Sequence, residues 1–409
     1  MKVLVSHPTG NTFVRALVNC LSKYEQLKAF YTTINWCSDS WIGKALPSRL
    51  VNQLERRSFS LINGEIRTRP LRESVRLIAG RLNLPVLKSP GKGWACLDAV
   101  YRDLDRYVSR CLHKEKPTHV HCYEDGALES FKVANELGVY CSYELPIAYW
   151  RKLHQLLDAE AEKRPEWAST LVYGDDSAEK LERKESELSL SDLVVVPSSF
   201  VRDSLPEGIL NTKHVVVSPF GTPQAMRISG FETPPPRPLR FLFAGSMGQR
   251  KGLADVLEAF AKADRKDIEL VILGSPMLSM DFYRGMYSGF IYEKPRAHAE
   301  VLSLMQSCHV LILPSIVEGR ALVQQEAMSQ KMALLVTPNA GGDDLVIEDV
   351  TGRLVPPGHP ELLLEAIHKF ADNPFQTLAM GKEASNHAKK YTWDSYAQTI
   401  ANALSNLER

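Results

Sequence analysis

The spacing of hydrophobic and polar residues along this chain predicts strand, loop, helix and strand in a repeated order. The stretch 309–342 shows this order most clearly. It opens with the apolar run Val310 to Leu313, which predicts a buried parallel strand. Pro314 ends that strand, and from Ala321 the apolar residues recur with helical spacing. A second apolar run, Ala333 to Val336, predicts the next strand. The stretch is therefore a β-loop-α-β unit.

The amino-terminal end shows the same order. Met1 to His7 predicts a first buried strand, a loop containing Gly10 and Asn11 follows, and an apolar-periodic helix begins near Phe13. A strand, a glycine-containing loop and a helix are how doubly wound sheets begin, and such sheets bind ligands beyond the carboxyl ends of their strands. Turn chemistry explains this Thr-Gly-Asn sequence as well as ligand contact does. A second series of strand, loop and helix patterns begins with the strand pattern at 239–245.

A proline-rich stretch, Glu232 to Pro238, separates the two series of strands and predicts a stiff linker. The 409 residues are enough for two domains of ordinary size. We therefore expect a first domain over 1–222 and a second over 223–390.

Composition narrows the class of protein. Hydrophobic residues make up 44% of the chain and charged residues 24%, which is typical of a soluble globular protein. No apolar run approaches the roughly 20 residues of a membrane span, and no signal peptide is recognisable. The seven cysteines are scattered without a Cys-x-x-Cys pair, so we expect reduced thiols, no zinc site and a cytoplasmic location.

The net charge of +1 conceals an asymmetry. Residues 1–116 contain 20 Lys and Arg against 9 Asp and Glu, a balance of +11, while the rest contains 29 against 39, a balance of −10. A basic half attracts a membrane surface, a phosphorylated acceptor or nucleic acid, although it is also compatible with an ordinary solvated surface. Pro47 to Phe59 predicts a short basic amphipathic helix, which would lie on an anionic bilayer or pack on the sheet.

Two carboxylates flank the start of the predicted helix in 309–342. If all the residues between Glu318 and Glu326 were helical, their Cα atoms would be roughly 12 Å apart. That separation is about the span from a ribose, across a diphosphate, to a sugar. The helix N-terminus between them offers free N–H groups and partial positive charge to a diphosphate, and carboxylates accept hydrogen bonds from hydroxyls. A capping and a surface glutamate would give the same spacing.

These residues stand within Pro-Ser-x-x-Glu-Gly…Glu-Ala-Met, followed by Thr-Pro-Asn-Ala-Gly-Gly. This pattern resembles the Glu-x7-Glu signature of retaining glycosyltransferases of family 4, the group 1 glycosyltransferases. The runs Ser-Asp-Leu-Val-Val-Val-Pro-Ser at 191–198 and Val-Ser-Pro-Phe-Gly at 217–221 are also similar to that family. The family usually has Phe and Gly after the Glu-Gly pair, where this chain has Arg320 and Ala321.

The resemblance implies an α/β protein of the GT-B fold, with two doubly wound, Rossmann-like domains facing a cleft. The first domain would bind the acceptor and the second the nucleotide sugar. The terminal helix, about 391–409, would cross back onto the first domain.

The resemblance also implies which residues bind the donor. Lys251 stands at the family's conventional lysine, Ser246 replaces its usual arginine, and Arg250 would compensate. Tyr292 lies where relatives hold the nucleotide base. The remaining implied donor contacts are Gly10, Asn11, Gly319, Arg320, Ala321, Leu322 and Glu326.

The catalytic residues implied are Glu318 and a group beyond the strand Thr118 to Tyr123. Many relatives carry His-x-His there, whereas this chain reads His121-Cys122-Tyr123. Tyr123, Glu124 or Asp125 would take the acceptor-side role, unless Glu124-Asp125-Gly126 is only a structural turn.

The activity implied is transfer of a sugar from a nucleotide diphosphate donor to a glycan, lipid-linked or small-molecule acceptor, with retention of configuration. No metal, cofactor or nucleic-acid partner is expected, and contact with an anionic membrane remains a hypothesis. Two alternatives stay open: a nucleotide-sugar epimerase, and a non-catalytic nucleotide-sugar sensor. A dehydrogenase is disfavoured because no Gly-x-Gly-x-x-Gly follows a strand.

Overall fold

The computed structural model describes residues 1–36, 54–55, 57–172, 176–223 and 238–407. The predicted linker, except Pro238, and most of the predicted basic helix Pro47 to Phe59 lie outside the described residues.

The first sheet has seven parallel strands in the order β3-β2-β1-β4-β5-β6-β7. Its strands are β1 Val3–Ser6, β2 Leu27–Thr32, β3 Glu65–Thr68, β4 His119–Tyr123, β5 Tyr140–Glu144, β6 Leu193–Val196 and β7 His214–Val217. The α-helices between and beside them are Thr12–Lys23, Leu71–Arg81, Pro85–Lys88, Leu97–Glu115, Leu128–Glu136, Trp150–Lys163, Ala178–Leu190, Ser199–Asp203 and Glu207–Thr212.

The second sheet has six parallel strands in the order β10-β9-β8-β11-β12-β13. Its strands are β8 Leu239–Ala244, β9 Ile268–Leu273, β10 Ile291–Glu293, β11 Val310–Leu313, β12 Ala333–Val336 and β13 Gly352–Leu354. The accompanying α-helices are Leu253–Ala263, Met280–Met286, His298–Met305, Leu322–Ser329, Pro360–Asp372 and Pro374–Ala388, and a last helix, Trp393–Ser405, ends the described chain. Short 3-10 helices occupy Pro165–Thr170, Gln249–Lys251 and Pro338–Ala340.

The apolar runs of the sequence become the buried central strands, because a parallel sheet covered by helices is buried on both faces. β11 and β12 are entirely buried and have the predicted bounds. After Gly342 the sequence pattern predicts a short helix from Leu345 and Val346, but this prediction is wrong. Their amides both donate to the Gly342 carbonyl, and Thr351 Oγ1 then accepts from Ile347, which closes a turn.

The terminal helix Trp393–Ser405 packs on the first sheet's helix Thr12–Lys23. Its Tyr396 and Ile400 lie in one apolar cluster with Val14 and Leu17. The Tyr396 hydroxyl also donates to the buried Glu144 carboxylate at 2.7 Å. The chain thus returns to its first sheet after completing the second.

The two sheets meet at a seam around Gly319. A Cβ placed on Gly319 would lie 1.8 Å from the Pro146 carbonyl oxygen, so only glycine permits this approach. The Ser198 hydroxyl donates to the Gly319 carbonyl at 2.6 Å. A second contact comes from Trp167, whose ring centroid lies 5.1 Å from that of Phe282 in the core of the second sheet.

Gly319→Ala should therefore destabilise the protein, because the added methyl group must displace the Pro146 backbone. We expect a loss of about 1–3 kcal/mol in the free energy of unfolding, measured by urea denaturation. Gly285→Ala, in the helix Met280–Met286 with no atom within 4 Å of the new Cβ, is the matched control and should be neutral or stabilising. Equal effects for the two variants would show that the seam is not tight.

Candidate active site

A cleft of about 550 Å³ opens where the carboxyl ends of the two sheets face each other. This is the edge at which parallel α/β sheets bind ligands. The residues lining the cleft come from loops, strand ends and helices of both domains: Phe13, Pro146 and Phe220 from the first, and Ala244, Gly245, Ser246, Lys251, Leu273, Gly274, Ser275, Pro295, Arg296, Val301, Glu318, Arg320, Ala321, Leu322 and Val323 from the second.

The floor of the cleft is bare backbone. A Cβ on Gly274 would lie 1.7 Å from the Gly245 carbonyl oxygen, so the loops after β8 and β9 are in direct contact. The stem of Lys251 crosses Gly245, where a Cβ would lie 2.6 Å from Lys251 Cδ. These two glycines therefore let the lysine lie flat at the base of the cleft.

A charge cluster, formed by Glu318, Lys251 and Arg250, lies beside this floor. Glu318 Oε1 is 2.7 Å from Lys251 Nζ and 2.9 Å from Arg250 Nη1. Burial raises the pKa of Glu318, but the charges of Lys251 and Arg250 outweigh it, so the pKa lies below its ordinary value. The carboxylate is therefore ionised at neutral pH and holds both cations together.

The turn at Gly252 positions the two cations. Gly252 has a φ of +78°, and a Cβ there would lie 2.1 Å from the Pro314 carbonyl oxygen. The preceding loop can therefore fold against the end of β11, where the Ile316 amide donates to the Arg250 carbonyl at 2.9 Å. The Lys-Gly pair thus fixes where the ammonium group lies.

The helix Leu322–Ser329 begins at the cleft wall. Its N-cap residue, Ala321, makes no side-chain capping hydrogen bond, and its first turn contains no acidic residue. Ala321, Leu322 and Val323 all line the cleft. The first N–H groups and the positive end of the helix dipole therefore adjoin the cleft, with no acidic residue in the first turn to neutralise them.

Three other residues predicted to bind the donor lie in or near the cleft. Ser246 is part of the lining. The Tyr292 hydroxyl donates to the carbonyl of Gly274 at 3.1 Å, just behind the floor. Glu326 does not line the cleft, and its Oε1 lies 2.9 Å from His298 Nε2.

Arg320 touches the cleft, but its guanidinium group belongs to the seam between the domains. The group is buried, with Nη1 3.4 Å from the Pro197 carbonyl oxygen and 3.3 Å from Asp344 Oδ2. It also lies 4.8 Å from the ring centroid of Tyr391. Arg320 therefore joins the domains at the position where the family usually has Phe.

Gly10 and Asn11 line a neighbouring pocket of about 660 Å³ on the first-domain side. This pocket shares Phe13 and Leu322 with the cleft, and Arg15 and Arg57 are also in its wall. Leu322 therefore stands between the two spaces.

The Gly10 loop is held by His7. The Gly10 amide donates to His7 Nδ1 at 3.0 Å, which requires an unprotonated nitrogen. Burial, with a smaller effect of the His121 charge, lowers the pKa of His7 to about 3. Gly10 itself has a φ of +59°, which favours glycine.

The positions of Tyr123, Glu124 and Asp125 disagree with the predicted acceptor-side role. None of the three lines the cleft or the neighbouring pocket. Tyr123 is buried, 4.7 Å from the His7 ring and 5.0 Å from the His121 ring, measured between ring centroids. Because β4 is a central strand, its side chains enter the core.

Glu124 and Asp125 are instead engaged with the helix Ala178–Leu190. Glu124 Oε1 lies 3.3 Å from Lys184 Nζ, and Asp125 Oδ2 lies 3.3 Å from Lys180 Nζ. Burial, partly offset by the Lys184 charge, raises the pKa of Glu124 to about 7. The Glu-Asp-Gly stretch is thus a structural turn that ties β4 to this helix.

Several lining residues were not predicted from sequence. Phe13 and Phe220 stack with their ring centroids 5.3 Å apart, and Pro146 closes the same wall. Phe13 begins a helix and the other two lie in loops far from it along the chain, so no sequence pattern brings them together. Arg296, which pairs with Glu293, follows the predicted base-binding strand and could have been noticed from that position.

Two further observations apply to the described ranges. They contain no group of three or more His, Cys, Asp or Glu side chains able to hold a metal ion. Within the same ranges, no helix has both the length and the hydropathy needed to cross a membrane.

Glu318→Gln tests the charge cluster directly. The substitution removes the carboxylate that neutralises Lys251 and Arg250, so inorganic pyrophosphate should bind about tenfold tighter at low salt. Isothermal titration calorimetry measures the change. Glu383→Gln, an exposed glutamate in the helix Pro374–Ala388, loses the same charge and should bind like the parent protein. Unchanged or weaker pyrophosphate affinity in Glu318→Gln would contradict this account of the cluster.

Comparison with known proteins agrees with this geometry. Residues 227–391 match the family model described as glycosyl transferases group 1. A D-inositol 3-phosphate glycosyltransferase of Streptomyces coelicolor is 33% identical over 110 residues, which are 27% of this chain and 24% of that protein. The chain thus matches only about a quarter of that relative's length.

Solved structures match over nearly the whole chain. Sucrose-phosphate synthase from Thermosynechococcus elongatus superposes with a TM-score of 0.62 at 16% identity, covering 98% of each chain. Anabaena HepE in complex with UDP-glucose superposes with a TM-score of 0.57 at 16% identity, covering 100% of each chain. The predicted family resemblance and fold are confirmed. Residues 227–391 are a group 1 glycosyltransferase domain, in a chain that has the GT-B fold.

Proposed function

We propose that this protein transfers a sugar from a nucleotide diphosphate donor to a glycan, lipid-linked or small-molecule acceptor, with retention of configuration and without a metal. The observation that carries the proposal is that Lys251 and the helix N-terminus at Ala321 line one cleft, where Arg250 pairs with the lining residue Glu318. Two cations and unneutralised N–H groups suit a diphosphate.

Glu318 would bind the donor sugar. Its carboxylate is ionised, and it lies within 3 Å of both cations that the diphosphate would contact. When phosphate oxygens take over these cations, the carboxylate can accept hydrogen bonds from sugar hydroxyls. The donor sugar would then lie between Glu318 and the first-domain wall, which Phe13 and Pro146 form.

Glu326 would bind the ribose hydroxyls of the donor, on the other side of the helix N-terminus from Glu318. His298 contacts its carboxylate and would orient it. The base would lie near the loop that carries Pro295 and Arg296, which follows Tyr292. Because the Anabaena neighbour was solved with UDP-glucose, uridine diphosphate sugars are the first donors to test.

The proposed reaction requires little from the protein beyond stabilisation of the negative charge that develops on the leaving group. As the bond from the sugar to the diphosphate breaks, negative charge grows on the leaving oxygen, where Lys251, Arg250 and the helix N-terminus would stabilise it. The departing phosphate would accept the acceptor's proton. With the proton transferred in this way, no residue of the protein needs to act as a base.

The acceptor would occupy the pocket lined by Gly10, Asn11 and Arg15. That pocket shares Phe13 and Leu322 with the cleft, so an acceptor hydroxyl there would reach the donor sugar past one side chain. This arrangement places donor and acceptor in different domains.

A screen of nucleotide-sugar turnover tests the proposal. Nucleotide diphosphate should appear only when a suitable acceptor is present, the product should keep the donor's anomeric configuration by NMR, and EDTA should not abolish turnover. Sugar isomerisation without an acceptor would indicate an epimerase. Donor binding that never leads to nucleotide diphosphate release would indicate a sensor.

Glu326→Ala should weaken donor binding while the fold survives. A hydrogen bond to a charged group contributes roughly 1.5–3 kcal/mol, so nucleotide diphosphate affinity should fall by about ten- to a hundredfold. Calorimetric titration with the nucleotide diphosphate found in the screen measures this. Glu383→Ala, on an exposed helix face, is the control and should leave affinity unchanged. If Glu326→Ala also binds normally, the ribose assignment is wrong.

A further inference from the structure

Exposed apolar side chains concentrate in one short part of the first domain. Of the eighteen exposed large hydrophobic residues among the described residues, seven lie between positions 71 and 97. We call them the apolar patch: Leu71, Ile78, Leu82, Leu84, Val86, Trp94 and Leu97. Single exposed apolar residues need no explanation, but a concentration of this kind marks an interaction surface.

The helix Leu71–Arg81 is amphipathic, but apolar residues lie on its solvent-exposed face. Its Leu71 and Ile78 are 60% and 56% exposed, and Leu82, directly after the helix, is 64% exposed. Positions 71, 78 and 82 share one helix face. The opposite face buries Glu73, which is bonded to Arg57 and Arg76 at 2.7 and 2.6 Å. Surface helices of soluble proteins normally turn their charges outward and their apolar face inward.

Contacts within residues 71–97 bring the two ends of this segment together on one surface. The Arg72 guanidinium lies 4.5 Å from the ring centroid of Trp94 and donates to the Trp94 carbonyl. Lys88 reaches back to the same helix, with its Nζ 3.4 Å from where a Cβ on Gly80 would lie. Val86, 80% exposed, stands between these two contacts along the chain.

Within positions 71–97 the charge is mostly of one sign, although Asp98 and Glu179 share a neighbouring pocket with Lys88 and Leu97. Positions 71–97 contain Arg72, Arg76, Arg81, Lys88 and Lys92, and their single acidic residue is the buried, ion-paired Glu73. Arg81, Lys88 and Lys92 are exposed. Many other arginines of the basic first domain are paired with carboxylates, including Arg69 with Asp103 at 3.1 Å. Arg81, Lys88 and Lys92 therefore offer positive charge beside the apolar patch.

We propose that the apolar patch docks on an anionic lipid surface. Leucine and valine side chains would enter the headgroup boundary, Trp94 would lie at that boundary, and the lysines and Arg81 would contact lipid phosphates. A second copy of this chain is a poorer occupant, since a symmetric contact would bring the same cations face to face. The proposal does not depend on the proposed transfer activity, because docking requires no donor.

Vesicle sedimentation tests the proposal with the full chain. At low salt the protein should sediment with vesicles of phosphatidylglycerol and phosphatidylcholine, and at least tenfold less with phosphatidylcholine alone. High salt should weaken the binding. Trp94 gives an independent readout, since lipids brominated near the headgroup should quench its fluorescence, and Trp94→Phe should remove most of that quenching.

Two double variants in the patch, each with a control double variant elsewhere, locate the surface. Ile78→Ser with Leu82→Ser should lower the vesicle partition coefficient by about tenfold or more, whereas Leu362→Ser with Phe375→Ser, also exposed apolar residues, should not.

Lys88→Glu with Lys92→Glu should abolish the preference for anionic lipid. Lys382→Glu with Lys389→Glu, the same charge change on the second domain, should retain it. All these side chains are exposed, so the fold should survive, and circular dichroism checks that.

Failure to sediment with anionic vesicles at low salt would overturn the proposal. Equal losses in the patch and control variants would also overturn it, because binding would then be non-specific. If light scattering showed a dimer that Ile78→Ser with Leu82→Ser converts to a monomer, without vesicle binding, the occupant would be a second copy.

Discussion

The shape of the cleft between the two sheets depends on the close approach of the Gly319 backbone to the Pro146 carbonyl oxygen. The Ser198 hydroxyl holds the Gly319 carbonyl, and the Ser199 amide donates to Asp344 Oδ2 at 2.9 Å. Because Glu318 directly precedes Gly319, the same contact fixes the carboxylate that organises Lys251 and Arg250. The domain seam and the charge cluster are thus adjacent on one short stretch of chain. A change that loosens the first should also displace the second.

The sequence was most informative where one physical requirement dominates. β11 and β12 carry continuous apolar runs because both faces of a central parallel strand are covered, and their bounds were predicted to the residue. Lys251 was predicted from the family resemblance, and the left-handed turn at Gly252 explains the glycine that follows it. Glu318 was predicted from its spacing to Glu326, and the structure puts it against Lys251, which that spacing did not indicate.

Other features depend on contacts between distant parts of the chain. Tyr123 ends a central strand next to polar residues, so its sequence neighbourhood suggested a site, whereas its burial depends on His7 and His121 from two strands. Arg320 was predicted to contact the donor, but its guanidinium group fills the seam, with partners at Pro197 and Asp344. The helix Leu71–Arg81 was not predicted, because its arginines are interleaved with its apolar residues and weaken the helical pattern.

The central claim is that the cleft between the sheets is the nucleotide-sugar site, with the charge cluster and the N-terminus of the helix Leu322–Ser329 as its anion-binding part. Hydrogen exchange with mass spectrometry, comparing the protein with and without UDP-, ADP- and GDP-sugars, tests it most directly. The account predicts that one of these donors slows amide exchange in 245–252 and 319–326, while the helix Pro360–Asp372 exchanges as before. Protection confined to other segments, or no protection with any donor, would contradict it.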